Sequence, residues 1–216
     1  ARVGGTLIWA TLFEEEVTRE RTGGKATRGT TVETFSYYGN LAVGICEGPI
    51  AGVRRVWADG KELDLTGIEM RVYPGSQDQL PDPLIEAKQG EGMAPAYRGL
   101  AYAVFEHLPL DVFGNRLPLI QFEVVRPVGE LERQIRAVTI IPGATEHGYA
   151  IVQVTETAGE GSARILNRNT LTAATDWQAS IDELVSVCPH LERVALVVSW
   201  FGTDLRAGEC RVLPGV

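Results

Sequence analysis

Cysteine is scarce in this 216-residue chain. Cys46, Cys188 and Cys210 sit far apart and form no CxxC pair, so a disulfide framework or a local metal site lacks the spacing it needs. An odd number of thiols beside a good apolar core predicts reduced, buried cysteines and assembly in a cytoplasm. Histidine is equally sparse. His107, His147 and His190 have no second His or Cys at ligand spacing, and turn or surface roles are expected of them. A GxSxG elbow and a phosphate loop ending in GK[ST] are both missing. The glycine pairs Gly4-Gly5 and Gly23-Gly24 do not stand between a strand and a helix, which predicts turns or close backbone packing. Long apolar runs are absent too. The stretch from Val194 to Trp200 falls far short of the roughly 20 residues of a membrane-crossing helix, and no basic-then-apolar signal segment opens the chain.

What is present is acidic and rich in strand formers. Asp and Glu number 28 against 20 Lys and Arg, a net charge of −8, which repels a phosphate backbone unless basic residues cluster on one face. The densest basic patch, Arg19, Arg21, Lys25 and Arg28, is interleaved with glutamates and has no aromatic stacking partners. No specific nucleic-acid binding is expected of it. Glycoside hydrolysis needs two carboxylates across a cleft, and the visible groups are Glu14 to Glu16, Glu62 with Asp64, and Asp182-Glu183. Solubilising faces are the expected role of each. Asp204 follows an apolar run and Ser199-Trp200-Phe201-Gly202, and ligands in α/β folds sit beyond the carboxyl ends of strands. It is the carboxylate to locate, yet no catalytic, cofactor-binding or metal-ligating residue is assigned. Trp57, Trp177 and Trp200 could stack on sugars but are expected in the core.

Residues 1–127 read as one β-rich domain, with short alternating runs punctuated by Gly, Pro, Asn and Asp. The strands expected are Val3 to Phe13, Val32 to Cys46 (one bent strand or two), Ile68 to Tyr73, Leu100 to Glu106 and Leu119 to Val125. Glu14 to Thr31 reads as a long mobile hairpin or loop that cannot bury a face. Asp59-Gly60 suits a tight primed turn between Val53 to Ala58 and Lys61 to Leu65, and Leu84 to Gln89 makes about one helical turn closed by Gly90. After Pro127 the texture changes, so residues 128–216 form a smaller mixed α/β region. A short helix is expected at Glu130 to Arg136. A longer one starts at Thr175 or Asp176, with Gln178 placed for a capping box and Trp177, Ile181, Leu184, Val185 and Cys188 on one stripe. Pro189 ends it. Val194 to Val198 then has the pattern of a strand covered on both faces, as in parallel α/β sheets. The fold class is therefore α+β. The chain opens at Ala1 without a Met, inside an apparent strand, and a fragment of a longer polypeptide is expected.

Six blocks over residues 45–125 carry a family resemblance: VWADGKEL at 56–63, RVYPGSQDQ at 71–79, PDPLIE at 81–86, PAYRG at 95–99, YAVFEHLPL at 102–110 and FGNRLP at 113–118. Together with GGTLIW at 4–9, GICEGPI at 44–50, TIIPGATE at 139–146 and VSWFG at 198–202, they resemble the hub region of the large tail-tip protein of gene transfer agents and related siphophages. Similar segments occur in host-specificity-like tail attachment proteins. The resemblance implies a β-rich tail-hub domain followed by part of a second hub domain or the lead-in to a TIM-barrel-like domain. In such proteins a glycosidase-like barrel lies beside or within the hub domains, and this chain stops too early to hold it. The implied role is structural, in the tail-tip baseplate: closing the tail tube and supporting host attachment and DNA delivery. The resemblance also implies a homotrimer meeting the distal tail protein and the hub and fibre components, with indirect contact to the host envelope. Its place is the virion tail tip, after assembly in the bacterial cytoplasm. The alternative is part of a cell-wall glycoside hydrolase whose catalytic barrel lies outside these residues.

Overall fold

The branched and aromatic residues around Val32 to Cys46 form one strand rather than two in the computed structural model, which describes residues 1–22, 30–141, 147–157 and 162–214. This strand, β4 (Thr30–Glu47), is bent by bulges between Gly39 and Leu41 and between Gly44 and Cys46, where extra residues interrupt the ladder. The described residues fall into two compact units, Ala1–Val124 and Val125–Val216. The whole is a β-dominated α+β fold.

In the first unit the opening apolar run is divided between two sheets. β1 (Arg2–Gly4) joins one and β2 (Thr6–Ala10) the other. Gly5 makes the crossing possible: its N–H donates to Ile120 O at 2.9 Å, and a Cβ there would lie 2.4 Å from Val43 Cγ1. One sheet has the order β1-β9-β5-β6, with β5 (Gly52–Ala58), β6 (Lys61–Glu62) and β9 (Ile120–Val125). The other runs β2-β4-β8-β7, with β7 (Glu69–Tyr73) and β8 (Leu100–Pro109), and β3 (Glu14–Thr22) pairs with the first half of β4. The Asp59-Gly60 turn has positive φ at both residues, 49° and 83°, as a primed hairpin requires. β6 is shorter than the expected Lys61 to Leu65: the Leu63 N–H still donates to Val56 O at 2.8 Å, and Leu63 and Leu65 pack against the core.

The two sheets face each other across Leu41, Val43 and Phe105 on one side and Val56, Ile120 and Phe122 on the other. A second cluster, Ala42, Tyr102 and Val104 with Ile85, covers the opposite face of β8. Burial of Ala101 to Phe105 is therefore unbroken, since this strand is covered on both faces. Ile85 belongs to α1 (Pro83–Gln89), a helix started by Asp82 and Pro83 and closed by Gly90 at φ 108°. The Asp82 carboxylate accepts from the Leu84 and Ile85 N–H groups at 2.9 and 3.2 Å, satisfying donors that the first helical turn leaves unpaired.

The second unit is built from short pieces. They are α2 (Leu131–Gln134), β10 (Ala137–Ile140), the hairpin of β11 (Thr155–Thr157) and β12 (Ala163–Ile165), α3 (Asp176–Val187), β13 (Arg193–Leu196), and β14 (Trp200–Gly202) against β15 (Val212–Pro214). Thr175 caps α3, its hydroxyl accepting from Gln178 N at 3.3 Å. The reciprocal half of the expected box is replaced, because the Gln178 side chain donates to Asp182 Oδ1 at 2.7 Å. β10 and β13 are parallel, with Ala137 opposite Arg193 and Ile140 opposite Leu196. The Tyr149 hydroxyl lies 2.9 Å from Ile140 O and 2.8 Å from Val197 O, and the Trp177 ring of α3 meets Tyr149 edge-on at 5.3 Å. The expected cover on both faces of this strand is not found. Every residue of β13 is exposed among the described residues, because two strands and one helix cannot wrap a parallel pair.

Candidate interaction surfaces

Alternation along β3 and β4 produces an arm. Nine residue pairs run from Glu14 opposite Tyr38 to Thr22 opposite Thr30, whereas β4 first meets β8 at Tyr38. Residues 30–36 of β4 thus have an open edge on the β8 side, since the Tyr37 carbonyl already accepts from the Leu110 N–H at 2.9 Å. One face of the arm carries Glu15 with Tyr37, Val17 with Phe35, and Arg19 with Glu33; the other carries Glu16 with Ser36, Thr18 with Thr34, and Glu20 with Val32. The stretches 15–20 and 31–35 are exposed throughout. The arm buries no face, as its composition predicts, yet it is a regular ladder and not a loop. Arg19 is paired with Glu33 at 2.8 Å, which removes it from the basic patch read in the sequence. Gly23-Gly24, Lys25 and Arg28 lie outside the described residues, as does the Arg21 side chain.

The root of the arm is a polar cluster. Glu14 Oε1 accepts from Asn40 Nδ2 at 2.8 Å and lies 3.3 Å from Lys88 Nζ, while Glu14 Oε2 lies 3.3 Å from His107 Nδ1. Asn40 is buried, and its Oδ1 accepts from the His107 N–H at 2.8 Å. His107 has a left-handed backbone at φ 54° and stacks on Tyr38 with ring centroids 3.8 Å apart. Desolvation raises the Glu14 pKa, but hydrogen bonds from Lys88, His107 and Asn40 outweigh it and hold the carboxyl below its usual range. Glu14, Asn40, Glu69, Lys88, Glu106 and His107 line a hollow of about 400 Å³ here.

Beside it Arg71 gathers three carboxylates. It donates to Asp82 Oδ2 at 2.9 Å and Glu106 Oε2 at 2.7 Å, and it also pairs with Glu69. The Tyr73 hydroxyl donates to Asp82 Oδ2 at 2.7 Å. Burial raises the Asp82 pKa, yet the hydrogen bonds from Arg71, Tyr73 and the Ile85 amide prevail and lower it. Burial and the Asp82 carboxylate push the Tyr73 phenol up to about 12. This network fastens α1 to β7 and β8, and every carboxylate in it has a cation or hydroxyl as partner.

The other carboxylates singled out in the sequence do not converge on one another. Glu62 faces Arg55 at 3.9 Å, and Asp64 Oδ1 accepts from the Thr66 N–H at 2.9 Å. Asp182 is taken by Gln178. Asp204 turns back on its own loop between β14 and β15, accepting from Arg206 N at 2.8 Å and Arg206 Nε at 3.0 Å, and the Arg206 side chain holds its pKa down. Among the described residues no group of three His, Cys, Asp or Glu is arranged to hold a metal ion. The cysteines are free, with Cys188 buried and Cys46 and Cys210 half-buried. His190 gives its carbonyl to Arg136 Nη1 at 3.2 Å, and His147 gives its own to the Ala150 N–H at 3.0 Å. Trp200 is 62% exposed, against the core position expected of it. Trp57 lies under the Arg2 guanidinium, 4.1 Å from the ring centroid, and is half-buried.

Sequence reasoning missed the Arg71 and His107 clusters. Asp82-Pro83 was a legible helix start, but the meeting of Glu14, Lys88 and His107 depends on strand register that no local signal carries.

Among solved structures, a chain from the virion of a native gene transfer agent (GTA) particle is 47% identical to this one, over 60% of this chain and 25% of its own length, with a TM-score of 0.46. This chain spans a quarter of the virion chain it matches. No protein-family model and no curated protein matches it.

Proposed function

We propose that this chain is a structural component of a phage-like or gene transfer agent particle, placed in the tail-tip baseplate hub. The observation that carries the reading is the 47% identity to a GTA virion chain. The ordered blocks between residues 45 and 125 give it its finer place. In the hub the chain closes the tail tube and supports host attachment and DNA delivery. It acts as a homotrimer beside the distal tail protein and the fibre components, and no catalysis is assigned to its residues. The two-sheet body supplies rigidity, and the arm offers open strand edges, which recruit neighbouring chains by backbone hydrogen bonding. Residues 128–216 serve as part of a second hub domain or as the lead-in to a TIM-barrel-like domain. The incompletely covered parallel pair of β10 and β13, with β13 exposed at every residue, favours such a continuation, since parallel sheets occur with both faces covered.

Electron microscopy of particles whose copy of this chain carries a small gold-binding tag tests the reading. Label at one end of the tail is the expected result. Label over the head or along the tube would overturn the tail-tip assignment, and particles without label would overturn the virion role. Light scattering of the purified chain checks the trimer separately.

A further inference from the structure

We propose that His107 is a protonation-dependent latch at the root of the arm, tying the β3–β4 ribbon to the body of its unit when the imidazole is charged and slackening it when the ring is neutral. The ring is placed for this from three sides. Its backbone is fixed by the left-handed turn at φ 54° and by the N–H donated to buried Asn40. Its face lies on Tyr38 with planes 8° apart. Its two nitrogens address two carboxylates of the same strand: Nδ1 is 3.3 Å from Glu14 Oε2, and Nε2 is 3.8 Å from Glu16 Oε1. A neutral imidazole has one N–H and no charge, whereas an imidazolium donates from Nδ1 to Glu14 and attracts Glu16 by charge, the 3.8 Å separation there being an ion-pair and not a hydrogen-bond distance.

The surrounding charges are compatible with the switch. From β3 come Glu14 and Glu16, from α1 Lys88, from the ring's own strand Glu106, and from β7 Glu69 and Arg71. Arg71 engages both Glu69 and Glu106. Lys88 uses Glu14 Oε1, the oxygen the ring does not face, so the two cations share one carboxylate without displacing each other. Glu14 is held below its usual range and is therefore ionised throughout the neutral and mildly acid range. The latch lies within one unit and holds whether or not the chain belongs to a tail tip.

Hydrogen exchange of the 216-residue chain, corrected for intrinsic chemistry and compared between about pH 5.5 and about pH 8, tests the latch. Amides in 15–20 and 31–37 are expected to be about threefold better protected at the acid pH, the size of an exposed ion-pair effect. His107→Asn keeps a residue that tolerates the left-handed backbone and abolishes the difference. Glu16→Gln, an exposed change that spares the fold, reduces it. A wild-type chain with equal protection at both pH values overturns the proposal. So does a response that persists unchanged in both variants.

Discussion

At the scale of single residues, the first unit depends on a few positions where two backbones or two charges meet. Gly48 and Gly75 are one such place. A Cβ on Gly48 would lie 2.5 Å from Pro74 O, and one on Gly75, itself at φ 85°, would lie 2.7 Å from Ala101 N. Neither neighbour is a side chain that could swing away. Gly75→Ala is expected to cost about 3 kcal/mol, from left-handed strain and overpacking together, read as a lowered denaturation midpoint with an unchanged slope. Asp82 is another. Asp82→Ala removes the helix cap and leaves Arg71 without its most buried partner, a loss of about 3 kcal/mol. Asp82→Asn keeps an oxygen for the cap and is expected to lose less. Because the folded state lowers the Asp82 pKa, its contribution is complete above the unfolded value of about 3.9 and is lost as pH falls through the folded value. Urea titrations below about pH 4 should show the wild-type chain losing stability more steeply than Asp82→Asn; parallel pH profiles would contradict this. Asp82-Pro83 carries the local signal of a helix start, although the helical turn read from the sequence began at Leu84. The pairing of Asp82 with Arg71 has no such signal, because residues 11 apart in sequence meet through the path of the loop and the register of β7.

At the scale of elements, the arm and α1 show two ways in which local pattern meets its surroundings. α1 has seven residues, too few to persist alone in water. It holds through its cap and through Ile85 buried against Tyr102 and Val104. The arm has no such support beyond its root, and a two-stranded ribbon by itself is marginal. Its cross-strand pair Val17 and Phe35 is exposed, at 42% and 50%. Phe35→Ser is therefore expected to raise hydrogen exchange within 15–20 and 31–37 severalfold while shifting the melting temperature of the first unit by less than about 2 °C, a change within the usual range for surface positions. A large fall in that melting temperature would show the arm to be part of the cooperative core. A hairpin or loop was expected here, but the regular pairing was not, since a charged segment offers no apolar face to a pattern-based reading. Single-strand patterns misled in the opposite direction at Val194 to Val198. A continuous apolar run predicts cover on both faces, and β13 is exposed at every residue among those described, Val194 at 46% and Leu196 at 49%.

At the scale of the whole molecule, the two units differ in how they are built. The first encloses two apolar clusters between and beside its sheets; the second, among its described residues, has three separate two-stranded sheets and keeps Val194, Leu196, Trp200 and Phe201 exposed. A chain cut after residue 127 is expected to unfold in one cooperative step with coincident far-UV and aromatic signals. Non-coincident curves would show that the first unit depends on residues 128–216 for its cooperativity. The sequence by itself determined the β-rich composition, the Asp59-Gly60 hairpin, the cap at the start of α3, and the block order that points to a virion protein. These are set by each residue's own backbone preference or by neighbours a few positions away. Tertiary structure alone decided that one opening run would serve two sheets, that β8 would be covered on both faces, and that Glu14, Lys88 and His107 would meet at the root of the arm. Those outcomes depend on which strands pair and in what register, a choice made by the summed burial of both sheet faces and written in no single segment.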